Sequence, residues 1–261
     1  MKLIQSRDNP TFKHLRALVE ESRYRREQGR TVLDGAHLIK AASAAGVVFH
    51  RVVVTAKAMR QQEVQRIVEG GLPSRCELLE VSETLLRQIS PVDTPAGIAA
   101  EIEIPRHSPV NVCGDVLMLE AVQDAGNLGT LLRTAAAAGV GRVVLSAQCA
   151  QAWSPKVLRA GMGGHFALHI TEGADLTGEL STWQGPVLAT ALTIDAVDLY
   201  ATDLRAPAVW LFGSEGQGLS AAMLQRATQR VRIPMPGGTE SLNVAAAAAV
   251  CLFEQLRQRR I

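Results

Sequence analysis

Val116-Leu117-Met118-Leu119-Glu120 opens the half of the chain that decides the fold. Four apolar residues in a row, with no polar alternation, predict a strand buried on both faces. The pattern then alternates: a helix from Leu128 to Ala138, a strand over Arg142 to Ser146, a helix near Pro155 to Met162 and a strand over Phe166 to Ile170. A helix near Leu176 to Trp183 and strands over Val187 to Ala191 and Ala208 to Phe212 follow. A helix starts near Ser220, Val231 to Ile233 is a short strand, and a long helix runs from Leu242 to Arg257. Continuous apolar strands joined by helical crossovers predict a parallel sheet covered on both faces.

Upstream, the pattern is a smaller α/β layer. Asp8-Asn9-Pro10 is suited to cap a helix running to about Arg26, followed by a strand over Thr31 to Asp34. A helix from His37 to Ala45 stops at Gly46. Phe49 to Thr55, Glu77 to Val81 and Gly97 to Ile102 read as strands. Met59 to Val68, closed by Gly70-Gly71, and Glu83 to Ile89 read as helices. Two prolines break the pattern in Pro105-Arg106-His107-Ser108-Pro109. The expected organisation is a first domain over 1–104, a linker over 105–111 and a second domain over 112–261.

Composition sets limits on partners. Hydrophobic residues make up 47% of the 261, enough for two cores, and aromatics only 4%, too few for base stacking to dominate nucleic-acid binding. The net charge of +2 does not by itself mark an RNA binder. Basic residues do gather near the start: Lys13, His14, Arg16, Arg23, Arg25, Arg26 and Arg30. That stretch reads first as the solvated face of a helix and second as a surface for RNA phosphates, with Arg23, Arg25 and Arg26 as the candidate contacts. Cys76, Cys113, Cys149 and Cys251 stand apart, in or beside apolar runs, and read as reduced thiols. His165 and His169 read as structural, so no metal is expected. Met1 to Asp8 lacks the apolar core of a signal peptide, and Val244 to Leu252 is too short to span a bilayer. A cytoplasmic protein with no membrane partner is expected.

Three loops fall where strands of the second domain end, the place where open α/β sheets bind ligands. In Gln123-Asp124-Ala125-Gly126-Asn127-Leu128-Gly129, Asn127 is placed to cap the next helix. Arg133 follows six residues later, read as near the same face. In Leu211-Phe212-Gly213-Ser214-Glu215-Gly216-Gln217-Gly218 the glycines let backbone approach a ligand. Their spacing is not that of a dinucleotide fingerprint, and Glu215 would repel a pyrophosphate while tolerating a sulfonium or ribose hydroxyls. In the third, Ile233 to Val244, Ser241 is a candidate helix cap, and Asn243 reads as an amide in need of partners.

These motifs resemble those of the SpoU/TrmH RNA ribose methyltransferases of the SPOUT superfamily. The resemblance rests on Asn127 to Ala135, Trp153 to Gly163, Leu211 to Leu219 and Ile233 to Val244, taken in order. Asp34 to Ala41 and Thr94 to Ala100 resemble a ribosomal-protein-like RNA-binding domain carried by many members. Ala125, Ala245 and Ala96 depart from the commoner proline, serine and glutamine. The resemblance implies a trefoil-knotted methyltransferase domain, a homodimer with a shared active site, and S-adenosylmethionine held near Thr190, Gly213, Gly218, Ile233 and Leu242. It ties Arg133, Asn127, Glu215, Ser241 and Asn243 to catalysis or site architecture.

The expected reaction is methylation of a ribose 2′-hydroxyl in RNA, 23S ribosomal RNA ahead of transfer RNA. An arginine, with a pKa of roughly 12 or more, suits orientation and alkoxide stabilisation better than general-base work. Two other readings compete: a non-catalytic RNA-binding or ribosome-assembly factor on the same fold, and a nicotinamide-dependent oxidoreductase. The intact motif residues count against the first and the glycine spacing against the second.

Overall fold

The computed structural model describes residues 1–70, 76–105 and 114–260. It divides into two compact units, Met1–Arg106 with Trp153–Phe166, and His107–Ala152 with Ala167–Ile261. Nearly all of the expected linker, together with Gly71 and Cys113, lies outside the described residues. The segment Trp153–Phe166, which the sequence places in the second domain, groups with the first unit.

The first unit contains β1 (Lys2–Ile4), α1 (Pro10–Glu20), α2 (Ser22–Gln28), β2 (Arg30–Asp34), α3 (Ala36–Ala44) and β3 (Phe49–Thr55). It continues with α4 (Gln62–Glu69), β4 (Glu77–Val81), α5 (Glu83–Gln88) and β5 (Ile98–Glu103). The sheet order is β1-β4-β3-β5-β2, with β5 antiparallel to both its neighbours. Phe12, Leu15 and Leu18 of α1 lie over Val53, Leu79 and Ala99 of the sheet in one buried cluster. Each large side chain so buried contributes about 1.5–3 kcal/mol. Asn9 caps α1 as expected, its Oδ1 accepting from Thr11 N at 2.9 Å.

The single helix expected to Arg26 is instead two. The chain extends at Glu21 (φ −109°, ψ 109°) and restarts as α2. Such a break strands the last carbonyls of α1. Arg25 satisfies them, donating from Nη1 to Leu18 O at 2.8 Å and Val19 O at 2.9 Å. Within the same unit the helix Pro155–Gly161, α7 in chain order, is held to β2. Arg159 pairs with the buried Asp34 at 2.8 Å, and Thr31 Oγ1 donates to Trp153 O at 2.7 Å.

The second unit contains β6 (Val116–Leu119), α6 (Ala125–Ala137), β7 (Arg142–Ser146), β8 (His169–Ala174), α8 (Leu176–Ser181) and β9 (Val187–Thr190). β10 (Val197–Asp198), β11 (Val209–Phe212), α9 (Ala221–Arg226), β12 (Gln229–Arg232) and α10 (Val244–Arg259) complete it. All seven strands are parallel, in the order β10-β12-β9-β11-β6-β7-β8. The chain steps outward from β6 through β7 to β8, then returns to the other side of β6. The switch point therefore lies between β6 and β11, and the loops after β12, β9, β11 and β6 come to adjoining strand ends.

The C-terminal helix α10 is fixed to this sheet. Trp210 Nε1 donates to Gln255 at 2.8 Å in the core, and Arg259 grips Asp115 with two nitrogens, one at 2.8 Å. The strand expected over Phe166 to Ile170 starts later. Gly164–Ala167 forms a 3-10 turn after two positive-φ residues, Met162 and Gly163, and pairing begins at His169. Among the described residues no helix is long and apolar enough to cross a membrane, and no group of His, Cys, Asp or Glu is placed to hold a metal ion.

Candidate active site

A cavity of about 550 Å³ opens at the carboxyl ends of β9, β11 and β12. Ligand pockets typically span 300–1,000 Å³, so a nucleoside-sized molecule is accommodated. Its wall includes Thr190, Gly213, Gly218, Ile233 and Leu242, the five residues expected around a methyl donor, together with Ser241 and Glu215. Sequence reasoning missed Leu192, Thr193, Met235 and Glu240, which also line it. Met235 and Glu240 sit in the Ile233 to Val244 loop already marked as unusual, whereas Leu192 and Thr193 carry no such signal.

The glycine loop after β11 folds back on itself. Gly218 N donates to Ser214 O at 2.9 Å, with Gly218 at φ 67°. The return is so close that a Cβ on Gly213 would sit 2.0 Å from the carbonyl carbon of Gly218. Only a residue without Cβ allows this approach.

The other two loops are tied to this one through amides. Asn243 Nδ2 donates to Asn127 Oδ1 at 2.9 Å, and Asn127 Nδ2 donates to Glu215 Oε1 at 2.5 Å. The two capping assignments differ from expectation. Asp124, not Asn127, caps α6, its Oδ1 accepting from Asn127 N at 2.7 Å. Gly126 leaves room for that carboxylate, since a Cβ there would lie 3.1 Å from it. Asn243, not Ser241, caps α10, accepting from Ala245 N at 3.0 Å and Ala246 N at 3.3 Å. Asn243 is exposed rather than sunk among apolar neighbours. Because the Asp124 carboxylate caps the helix, the Asn127 side chain is left to bridge the loops.

Arg133 is exposed on α6 and outside the cavity wall. Six residues turn a helix by about 600°, so Arg133 lies about 120° around the axis from Asn127, not on the same face. It makes no hydrogen bond or ion pair among the described residues and is presented to solvent as an uncommitted cation. Of the basic cluster in the first unit, Arg25 is buried against carbonyls, Arg23 pairs with Glu27 at 2.7 Å, and Arg26 is exposed.

A cavity walled by the loops after the parallel strands β9, β11 and β12, with an amide chain tying the start of α6 to two of them, defines the class as a SPOUT-type methyltransferase fold. The chain belongs to the SpoU rRNA methylase family. Residues 115–253 match the family described as SpoU rRNA Methylase, and residues 9–100 match the MRM3-like substrate binding domain.

Several relatives are similar over nearly the whole length. An uncharacterized tRNA/rRNA methyltransferase of Synechocystis is 36% identical, covering 98% of this chain and 94% of its own. The 23S rRNA (guanosine(2553)-2′-O)-methyltransferase RlmP of Bacillus subtilis is 30% identical, covering 97% and 98%. Among solved structures, an rRNA methyltransferase from Sinorhizobium meliloti with bound AdoMet matches with a TM-score of 0.84 at 30% identity, over 98% of this chain and 97% of its own.

Proposed function

We propose that this protein transfers the methyl group of S-adenosylmethionine to a ribose 2′-hydroxyl of ribosomal RNA, in bacteria the 23S molecule. The observation that carries the reading is the cavity whose wall brings together the glycine loop and the Ile233 to Leu242 segment beside the Asn243–Asn127–Glu215 chain. The chemistry of the wall fits the donor. Carboxylates of Glu215 and Glu240 favour a sulfonium cation and accept from ribose hydroxyls, while the folded-back glycine loop lets backbone approach an adenosyl group. The relative RlmP is named for 2′-O-methylation of 23S rRNA, and the match to a substrate-binding domain supports an RNA substrate.

S-adenosylmethionine supplies an electrophilic methyl group already activated by its positive sulfur. The protein's task is to bind, orient and help remove one proton. Thr190, Gly213, Gly218, Ile233 and Leu242 hold the donor. Arg133, free of protein partners, orients the 2′-hydroxyl and adjoining phosphate and stabilises the forming alkoxide, with the proton passing to phosphate or water. Ser241, in the cavity wall, positions the phosphate or Arg133. Asn127, Glu215 and Asn243 keep the loops in register. The working form is a homodimer with the C-terminal unit knotted, as the family resemblance implies, and its place of work is the cytoplasm. Exposed Phe253 on α10 supports the dimer, and the free thiols of Cys76, Cys149 and Cys251 support a reducing compartment.

The test is incubation of the purified protein with methyl-tritiated S-adenosylmethionine and, separately, ribosomal and transfer RNA, followed by digestion to nucleosides. Label in a 2′-O-methyl nucleoside from ribosomal RNA is expected. Label in transfer RNA alone overturns the substrate, and no label in either overturns the activity.

A further inference from the structure

Glu120 directly follows β6 at the switch point and does not line the cavity, yet it touches both ends of the glycine loop that does. Its backbone N–H donates to Phe212 O at 2.9 Å, extending the β6–β11 ladder by one bond to the last residue before the loop. Its carboxylate Oε2 accepts from Ser220 N at 2.7 Å, at the first residue after the loop. Ser220 is the N-cap of α9, its hydroxyl accepting from Met223 N at 3.3 Å. Residues 213–219 thus span two anchor points on a single residue.

The backbone beside Glu120 is shaped to keep it there. Ala121 takes φ 56°, a left-handed conformation that costs a non-glycine residue roughly 1 kcal/mol. Its N–H is held by Ser146 Oγ at 3.0 Å, which fixes that turn to β7. Strain kept at a strand end next to a binding loop points to function. A charge-assisted N–H···carboxylate bond is also stronger than a neutral one.

We infer that Glu120 is a positioning residue that clasps the glycine loop closed at its base, setting the affinity for the methyl donor. The inference rests on the donor reading above. Releasing Ser220 N lets the loop open at one end while the sheet and α9 remain. The expected effect is on donor binding, not on the transfer step.

The experiment compares wild type with Glu120→Ala and Glu120→Gln by titration with S-adenosylmethionine, alongside thermal melting and steady-state methyl transfer. Glu120→Ala should raise Kd and KM for the donor roughly tenfold, the loss of one hydrogen bond to a charged acceptor. At saturating donor kcat should stay near wild type, and so should Tm. Glu120→Gln, which keeps an acceptor oxygen, should recover most of the affinity. Ser220→Pro deletes the N–H at a φ of −63° that proline adopts without strain. It should weaken binding beyond Ser220→Ala, which loses only the hydroxyl. That pair decides the matter if Glu120→Ala fails to fold. Unchanged Kd in Glu120→Ala, equal binding by the two Ser220 variants, or a loss confined to kcat overturns the clasp alone. A wild type that takes up no S-adenosylmethionine removes the donor reading and the clasp with it.

Discussion

Asn243 donates from Nδ2 to Asn127 Oδ1 across 116 positions of chain. Asn127 passes the polarity on, since its own Nδ2 donates to Glu215. A side-chain amide carries donor and acceptor on one head, which lets it sit between a donor and a carboxylate. Neither near-isostere does both: aspartate only accepts, and leucine does neither. The order of the chain predicts what each substitution does.

Asn127→Asp keeps the acceptor for Asn243 but sets an oxygen against Glu215. Methyl transfer should fall roughly tenfold or more, further than in Asn127→Ala, through a lost bond plus like-charge repulsion between exposed groups. Adding Glu215→Gln restores a donor facing the new carboxylate and should return part of the rate. Single-turnover transfer by the single and double variants measures this. An Asn127→Asp protein as active as wild type means the amide chain plays no part in the reaction.

Much of this site was legible because loops at strand ends announce themselves. Gly213, Gly218 and Asn127 are residue types chosen for backbone approach or for a bare polar head, and the apolar strands before them place them at one end of a sheet. What stayed hidden depended on contacts between distant segments. Taken one segment at a time, the sequence offers Asn127 and Ser241 as caps, whereas the side chains of Asp124 and Asn243 perform that role. Asp124, three residues before Asn127, itself carries the signal of an N-cap. The first unit hid more: β1 is three residues long, and the extended Glu21 that splits α1 from α2 has no glycine or proline to mark it. Arg25 looked like its neighbours in sequence and is buried because of that split.

Arg133→Ala should cut methyl transfer by roughly a hundredfold or more while leaving the Kd for S-adenosylmethionine near wild type, because the residue lies outside the cavity wall. Arg133→Lys should recover only part of the loss, keeping the charge without the planar fork. Rates are followed by tritium incorporation and binding by calorimetry. Wild-type turnover in Arg133→Ala removes the guanidinium from the mechanism.

Gly213→Ala places a methyl group where the backbone of Gly218 already sits, 2.0 Å away. Backbone cannot yield as a flexible side chain does, so the loop must open. Donor affinity should fall by more than the roughly tenfold expected of a single hydrogen bond. Gly216→Ala, with no atom within 4 Å of its added carbon, is the matched control and should bind the donor as wild type does. Equal affinity for both variants breaks the link between the folded-back loop and the pocket.

Three arginines within four positions divide by role. Arg25→Ala removes a guanidinium from the carbonyls of Leu18 and Val19 and should cost about 1.5–3 kcal/mol of stability. Arg26→Ala touches an exposed side chain and should leave Tm within a degree or two. If that face meets RNA, Arg26→Ala weakens binding and flattens its salt dependence. Melting and filter-binding over a salt series separate the two effects. A Tm for Arg25→Ala equal to that of Arg26→Ala contradicts the structural role.

The same unit buries a carboxylate whose surroundings fix a pH dependence. Burial alone would raise Glu101. His14, Arg51 and Arg30 reverse that and hold it below the usual glutamate range, bonding it at 3.0, 2.5 and 2.9 Å. A carboxyl whose folded pKa is depressed stabilises the native state above its unfolded pKa. That contribution drains away as pH falls through the folded value. The wild-type melting temperature should therefore hold at neutral pH and drop on acidification below the ordinary glutamate range. Glu101→Gln leaves Arg30 and Arg51 without their shared anion and should already be about 2 kcal/mol or more less stable at pH 7. Its profile should be flatter through the acid range, since the titrating group is gone. Melting curves of both proteins from pH 7 to pH 3 check this. Parallel profiles separated by a constant offset show that Glu101 does not titrate with folding.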